Sequence, residues 1–244
     1  MNENVLMMLK DFDLLSVCET HLGIRSKCPD GFTLVGRSKE IKSKSPRGGV
    51  AVYRNNTCSI NIELFYDGFK DCVICKIMNT DVLLISIYIP PSNSIYYDES
   101  YFENLDLIYN TFRSHSIIIL GDLNSRCGTP IQSKRTYANN PDTVINSNGS
   151  KLNRWLCGKE LYILNGYKTD TKQFASNFTF FRGKSRSQND LILSNAIDMV
   201  NSLDILEREC YSDHTLLLLR INMNPGCSIN LIKDCTKGLL SDNH

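Results

Sequence analysis

The chain has 244 residues, 42% hydrophobic and 22% charged, which is enough apolar material for one large core and excludes wholesale disorder. A net charge of +1 means that the molecule as a whole does not attract nucleic acid, so any such contact must come from local patches. Ten cysteines at this length are too dilute for a small disulfide scaffold, and no apolar run is long enough to span a membrane.

The N-terminus has an early acidic residue and lacks the basic and long apolar regions of a signal peptide. We therefore read the chain as an intracellular, monomeric protein without a membrane association, with the nucleus as a candidate location. Residues 3–12 predict a helix with Val5, Leu6, Leu9 and Phe12 on one face. Residues 14–18 predict a short buried strand that delivers Glu19-Thr20-His21, and further short strands are expected near 32–36, 49–54, 58–65, 71–78 and 82–89. One Cys-x-x-Cys, Cys72 and Cys75, falls inside a strand. An offset of three puts the two thiols on opposite faces, so buried reduced cysteines fit better than a zinc site.

The run 98–113 reads as an amphipathic helix, with Phe102, Leu105, Ile108, Tyr109 and Phe112 at helical spacing. A strand at 117–120, a polar loop over 125–150 and a helix near 149–159 follow. Strands are then expected at 161–165, 177–181, 190–194, 203–208 and 214–221. Many apolar strands interrupted by a few long helices imply two packed sheets covered by helices, in one domain over 1–224. Over 225–244 the pattern weakens, and a loosely held tail is expected.

Functional groups recur at the mouths of these strands. In Ser116-Ile-Ile-Ile-Leu-Gly-Asp-Leu-Asn124, four apolar residues run into Asp122 and Asn124, whose i, i+2 spacing points both side chains the same way in extended backbone. Glu19 follows one strand, Tyr88 ends another, Asp190 opens a third, and Asp213-His214 precede the last. Each alone has a dull explanation as a turn former or a half-buried strand residue. Together they suit metal-assisted phosphodiester chemistry. Glu19 and Asp213 supply carboxylates to Mg²⁺ or Mn²⁺, and Asp122 orients or deprotonates a water. Asn124 and Tyr88 donate to phosphate, and His214 does the same with Asp190 fixing its tautomer.

The motifs Cys18-Glu19-Thr20-His21-Leu22, Arg47-Gly-Gly-Val-Ala-Val-Tyr53, Ile87-Tyr-Ile-Pro-Pro91, Gly121-Asp-Leu-Asn124, Asn189-Asp-Leu-Ile-Leu193 and Ser212-Asp-His214 come in the order of the endonuclease/exonuclease/phosphatase superfamily. Asn148-Gly149 and Leu161-Tyr-Ile-Leu-Asn-Gly166 are similar to its branch of endonuclease domains from non-LTR retrotransposons. The resemblance covers roughly residues 5–221 and implies a four-layer α/β/β/α sandwich of two mixed sheets flanked by helices. It also implies a Mg²⁺-dependent DNA endonuclease in which Glu19 binds the metal and Asp122 positions or activates water. Asn124 and Tyr88 would contact phosphate, Asp190 would pair with His214, and Asp213 would lie at the metal or the water, with the division between Asp122 and Asp213 left open.

Two departures accompany the resemblance. Members of the superfamily begin with a strand bearing a site asparagine, and the residues before Glu19 read as the helix and strand that come after it. A first strand is therefore expected to be missing, which would expose sheet edges. Asn189 also stands before Asp190 where an apolar residue is more usual. DNA backbone contacts are expected from the basic loops 37–47, 126–135 and 182–186, two of which adjoin the motifs. Tyr96, Tyr97 and Tyr101 are candidates for base stacking, although core or surface packing is the commoner fate of such residues. The alternatives to an endonuclease are a truncated, inactive relative and a phosphatase acting on another phosphate ester.

Overall fold

The computed structural model describes residues 9–20, 28–38, 48–129, 140–168, 172–206, 212–224 and 227–234. The strands in chain order are β1 (Leu14–Cys18), β2 (Phe32–Arg37), β3 (Val50–Asn55), β4 (Ile62–Tyr66), β5 (Cys72–Ile77), β6 (Val82–Tyr88) and β7 (Ser116–Asp122). They continue with β8 (Tyr162–Ile163), β9 (Phe180–Arg182), β10 (Ser185–Ser187), β11 (Asp190–Ser194), β12 (Val200–Ile205), β13 (Leu217–Asn224) and β14 (Cys227–Asp234). Helix α1 spans Ser100–Phe112 and α2 spans Ser147–Leu156.

Twelve of the strands form two mixed sheets of six, in the orders β12-β13-β14-β1-β3-β2 and β4-β5-β6-β7-β11-β8, while β9 and β10 form a separate hairpin. Side-chain alternation sets the layers. Leu14, Val52, Leu219 and Leu231 of the first sheet meet Val73, Leu84, Ile118, Leu120 and Ile192 of the second in one core. The other face of the second sheet, through Leu83, Ile85, Ile117, Ile119 and Leu193, packs on Leu105 and Ile108 of α1 and Leu152 of α2. The other face of the first sheet, through Leu15, Val17, Tyr53 and Ile232, lies under Leu9 and Phe12. Strands covered on both faces read as unbroken apolar runs, which is why β6 and β7 stand out in the sequence.

Most expected elements fall within a few residues of their places. The helix expected over 3–12 lies mainly outside the described residues, but Leu9 and Phe12 of its inner face are buried. Cys72 and Cys75 are buried free thiols, one in each of two cores. The inner face of α1 is turned toward Tyr101, which is buried with Leu105 and Ile108, whereas Phe102, Tyr109 and Phe112 are only partly buried. The Tyr101 hydroxyl donates to Asp71 Oδ2 at 2.7 Å, so this tyrosine is a core residue and does not stack on bases. Among the described residues no helix is long and apolar enough to cross a membrane.

One expectation fails instructively. Residues 227–234, placed in a loose tail, form β14, which lies in the middle of the first sheet, parallel to β1 and antiparallel to β13. Because β1 pairs with β14 on one side and β3 on the other, the exposed edge expected beside it does not exist. Ile229, Leu231 and Ile232 are fully buried there, and that burial stabilises the strand.

The two sheets come close near Gly121. Ser16 Oγ and Ser86 Oγ share a hydrogen bond of 2.5 Å between the sheets, and Cys18 Sγ donates to the Ile87 carbonyl at 3.4 Å. A Cβ on Gly121 would stand 1.7 Å from that same Ile87 oxygen, so only glycine fits. Gly121→Ala is expected to destabilise the fold by about 3 kcal/mol in urea denaturation, and a loss under about 1 kcal/mol would show that the backbone yields.

Candidate active site

Strand register builds the site. Tyr88 is the partner of Asp122 across the parallel β6–β7 pair, and Asp190 is its partner across the antiparallel β7–β11 pair. The three side chains thus form a row at one end of the second sheet. Tyr88 faces the first sheet, and Asp122 and Asp190 share the parity of Leu120 and Ile192, which do the same. From the opposite sheet come Glu19 just past β1, His214 just before β13 and Lys233 on β14.

Asp190 is the meeting point of these groups and is fully buried. Its Oδ2 lies 2.9 Å from His214 Nδ1, and its Oδ1 accepts from the ammonium of Lys233, which is also fully buried. The backbone N–H of Asp190 donates to Thr179 Oγ1 at 3.0 Å, and its carbonyl accepts from Asn165 Nδ2 at 3.1 Å. The His214 ring is further fixed by an edge contact with Phe180, with centroids 4.9 Å apart, and its backbone N–H donates to Ser212 Oγ at 3.0 Å. Ligand atoms of Asp122, Asp190 and His214 all lie within 4.8 Å of one another.

Asp122 is buried, and that burial raises its carboxyl above the ordinary aspartate range, an effect opposed by the charges of His214 and Lys233. Asn124 holds it. The Asn124 backbone N–H donates to Asp122 Oδ1, and its Nδ2 donates to both Asp122 Oδ2 and the Ile89 carbonyl, each at 3.0 Å. The expected extended geometry is therefore replaced: Asn124 has φ of 45°, in the left-handed region, and folds back on the aspartate. Glu19 also has positive φ, 50°, and its Oε1 accepts from the Tyr88 hydroxyl at 2.6 Å. Burial, followed by the Glu19 charge, pushes the Tyr88 phenol far up, so it stays a donor.

Asp213 is half-buried, and its carbonyl accepts from Phe181 N at 2.7 Å. Neither it nor Glu19 belongs to the group formed by Asp122, Asp190 and His214. Asp190 is committed to Lys233 and His214. Glu19, whose charge is felt by Asp122, offers hard carboxylate oxygen beside a second carboxylate, and that donor chemistry fits Mg²⁺ or Mn²⁺.

The basic loops have different fates. Residues 39–47 and 130–139 lie outside the described residues, as does His21. Arg126 forms an internal strut: its Nε and a terminal nitrogen donate to the two oxygens of Asp142 at 2.8 and 2.7 Å. Burial works against the Asp142 charge, but Arg126 and the N–H groups of Gln188 and Val144 hold its carboxyl below the ordinary range. Arg182, Lys184 and Arg186 are exposed on the β9–β10 hairpin, whose Phe180 rests on His214. Tyr97 stacks on Tyr101 and lies under Lys151, whereas Tyr96 is exposed.

Sequence reasoning missed Lys233, Thr179 and Asn146. Asn146 caps α2 by accepting from Gly149 N, and it donates to the Asn124 carbonyl at 2.8 Å, tying the helix to the site. Asn165 was visible only as a member of the Leu161–Gly166 motif, and nothing in that motif announced its bond to Asp190.

The family and the fold have counterparts among known proteins. A family profile described as endonuclease-reverse transcriptase matches residues 82–218. The fold is similar to that of a 3'-5' exonuclease from Neisseria meningitidis, with TM-score 0.62 and 16% identity over 90% of this chain and 94% of that one. It is also similar to an AP endonuclease from Archaeoglobus fulgidus, with TM-score 0.60 and 17% identity over 90% and 93%. No curated protein sequence matches the chain.

The raised Asp122 carboxyl has a stability consequence. Its folded pKa lies above its unfolded one, so the stability it contributes is full below the ordinary aspartate range and is lost as pH rises through the folded value. Asp122→Asn, which cannot ionise, is expected to melt above the wild type at neutral pH in metal-free buffer, with the gap narrowing as the pH falls. A lower melting temperature at neutral pH would contradict the assignment.

Proposed function

The chain belongs to the endonuclease-reverse transcriptase family, and on that footing we propose that it is a metal-dependent phosphodiesterase, a retrotransposon-type endonuclease that nicks DNA by attack of an activated water. The observation that carries this reading is the row Tyr88–Asp122–Asp190 facing His214, with the imidazole tied through Nδ1 to a buried carboxylate. Such a row combines a proton acceptor, a fixed imidazole and a phenolic donor within one small volume.

Each residue has a role in this reading. Asp122, less acidic than an ordinary aspartate, takes the proton of the attacking water while Asn124 holds its carboxylate still. His214 presents Nε2, its remaining ring nitrogen, to a phosphate oxygen, and Asp190 sets the tautomer. Tyr88 donates on the side of Glu19. Glu19 would hold the divalent ion, Mg²⁺ or Mn²⁺, and Asp213 would serve the metal or the water. When bound, such an ion polarises the scissile phosphate and offsets the charge developing on it. The hairpin cations Arg182, Lys184 and Arg186 reach the DNA backbone beside His214 without reading sequence, which suits a nearly neutral protein.

Plasmid nicking tests the reading. Activity is expected to require a divalent ion, to vanish on chelation, and to fall about a hundredfold or more in His214→Ala and in Asp122→Ala. Variants that nick as fast as the wild type would sink it, and hydrolysis of small phosphate esters without DNA cleavage would move the substrate elsewhere. Replacing Arg182, Lys184 and Arg186 together by alanine is expected to raise KM. It should also flatten the salt dependence of binding by about one in log–log slope for each phosphate that is no longer neutralised, with kcat little changed.

A further inference from the structure

We propose that Lys233 is a positioning residue of this site: its ammonium holds the Asp190 carboxylate against His214, which makes the strand β14 part of the active centre. The proposal rests on the phosphodiesterase reading for its kinetic consequences but not for its structural ones.

Lys233 lies where a sandwich of two sheets normally keeps an aliphatic residue. It shares the inward parity of Leu231, has Ser16 and Leu217 as its partners on the two neighbouring strands, and is fully buried. Lysine is almost never found so deep unless it is paired. A buried ion pair is commonly no more stabilising than an apolar pair of the same volume, so stability alone is a poor account of it. What the pair does is geometric. One Asp190 oxygen goes to Lys233 and the other to His214 Nδ1, which fixes the plane of the carboxylate from both sides. The backbone of Asp190 is pinned independently by Thr179 and Asn165. With its base and one oxygen held, the second oxygen has a single direction in which to meet the imidazole. The ring, also held by Phe180, then has one orientation for Nε2. Lys233 reaches His214 through Asp190; its charge also bears on Asp122, but the ordering of the imidazole runs through the Asp190 contact.

The test uses the full chain. Lys233→Met keeps the length and apolar stem of the side chain and removes the ammonium. It is expected to lower kcat for nicking about thirtyfold while KM for DNA stays within about twofold, as for a group that orders catalysis without binding substrate. Lys233→Arg should restore most of the loss. In an Asp190→Asn background, Lys233→Met should cost far less than the roughly thirtyfold it costs alone, because the ordering of His214 runs through that carboxylate. Ile232→Val, on the outward face of the same strand, should leave kcat unchanged even where it lowers the melting temperature. Proton NMR gives a readout that needs no activity: the His214 Nδ1 proton should be low-field and slow to exchange in the wild type and Lys233→Arg, and lost to exchange in folded Lys233→Met. An unaltered Nδ1 proton in Lys233→Met, its absence from the wild type, or fully additive losses in the double variant would overturn the proposal. A wild type that cleaves no DNA with any divalent ion would overturn the nuclease reading and leave this one to the spectrum.

Discussion

A carboxylate with no access to water, shared between an imidazole and an ammonium, joins the two sheets at the end that carries Tyr88 and Asp122. Asp190 belongs to the second sheet, and both of its partners come from the first. Charges at such depth are tolerated only when each is matched, and a partner removed leaves the others costly. The relative placement of the sheets at this end is therefore set by polar geometry as well as by the apolar core between them. The Ser16–Ser86 bond and the Cys18–Ile87 contact act on the same interface with smaller groups.

The second sheet contributes by alignment. A parallel neighbour on one side of β7 and an antiparallel neighbour on the other bring the C-terminal ends of β6 and β7 to the start of β11. Here the register puts Tyr88, Asp122 and Asp190 side by side. Gly121 allows the close approach that this alignment needs, and Asn124 turns the chain back so that the aspartate is held from its own loop. Two non-glycine residues in the left-handed region, Glu19 and Asn124, flank the row, which places local backbone strain where the chemistry is expected.

Much of this was legible in the sequence, for a physical reason. Strands buried on both faces give dense apolar runs, so β1, β6, β7 and β11 announce themselves, and a polar residue at the end of such a run is conspicuous. The second contacts were not legible. Arg126 resembles a free cation until Asp142, sixteen residues on, is brought beneath it. The turned-back Asn124 depends on a backbone conformation that residue type only weakly favours. Strand β14 escaped because Ser228, Asn230 and Lys233 interrupt its apolar residues and Pro225-Gly226 precedes it, the composition of a tail. Its lysine is the kind of residue that ordinarily lies in solvent, and the pairing with Asp190 accounts for its burial.

The position of β14 also bears on how the protein is made. Asn230 N donates to Asp13 Oδ2 at 2.7 Å, a bond between groups 217 residues apart. Contacts of such sequence separation form late, because a long loop must close before they contribute. Until β14 leaves the ribosome, β1 and β13 have no partner between them, and the sheet stands open at its centre with two edges available for wrong pairings. Only when that strand emerges do those edges close and Asp190 acquire its counter-charge. A nascent chain therefore carries Asp122, His214 and Glu19 for some time before it holds an ordered site, which ties the onset of any cutting activity to the emergence of β14.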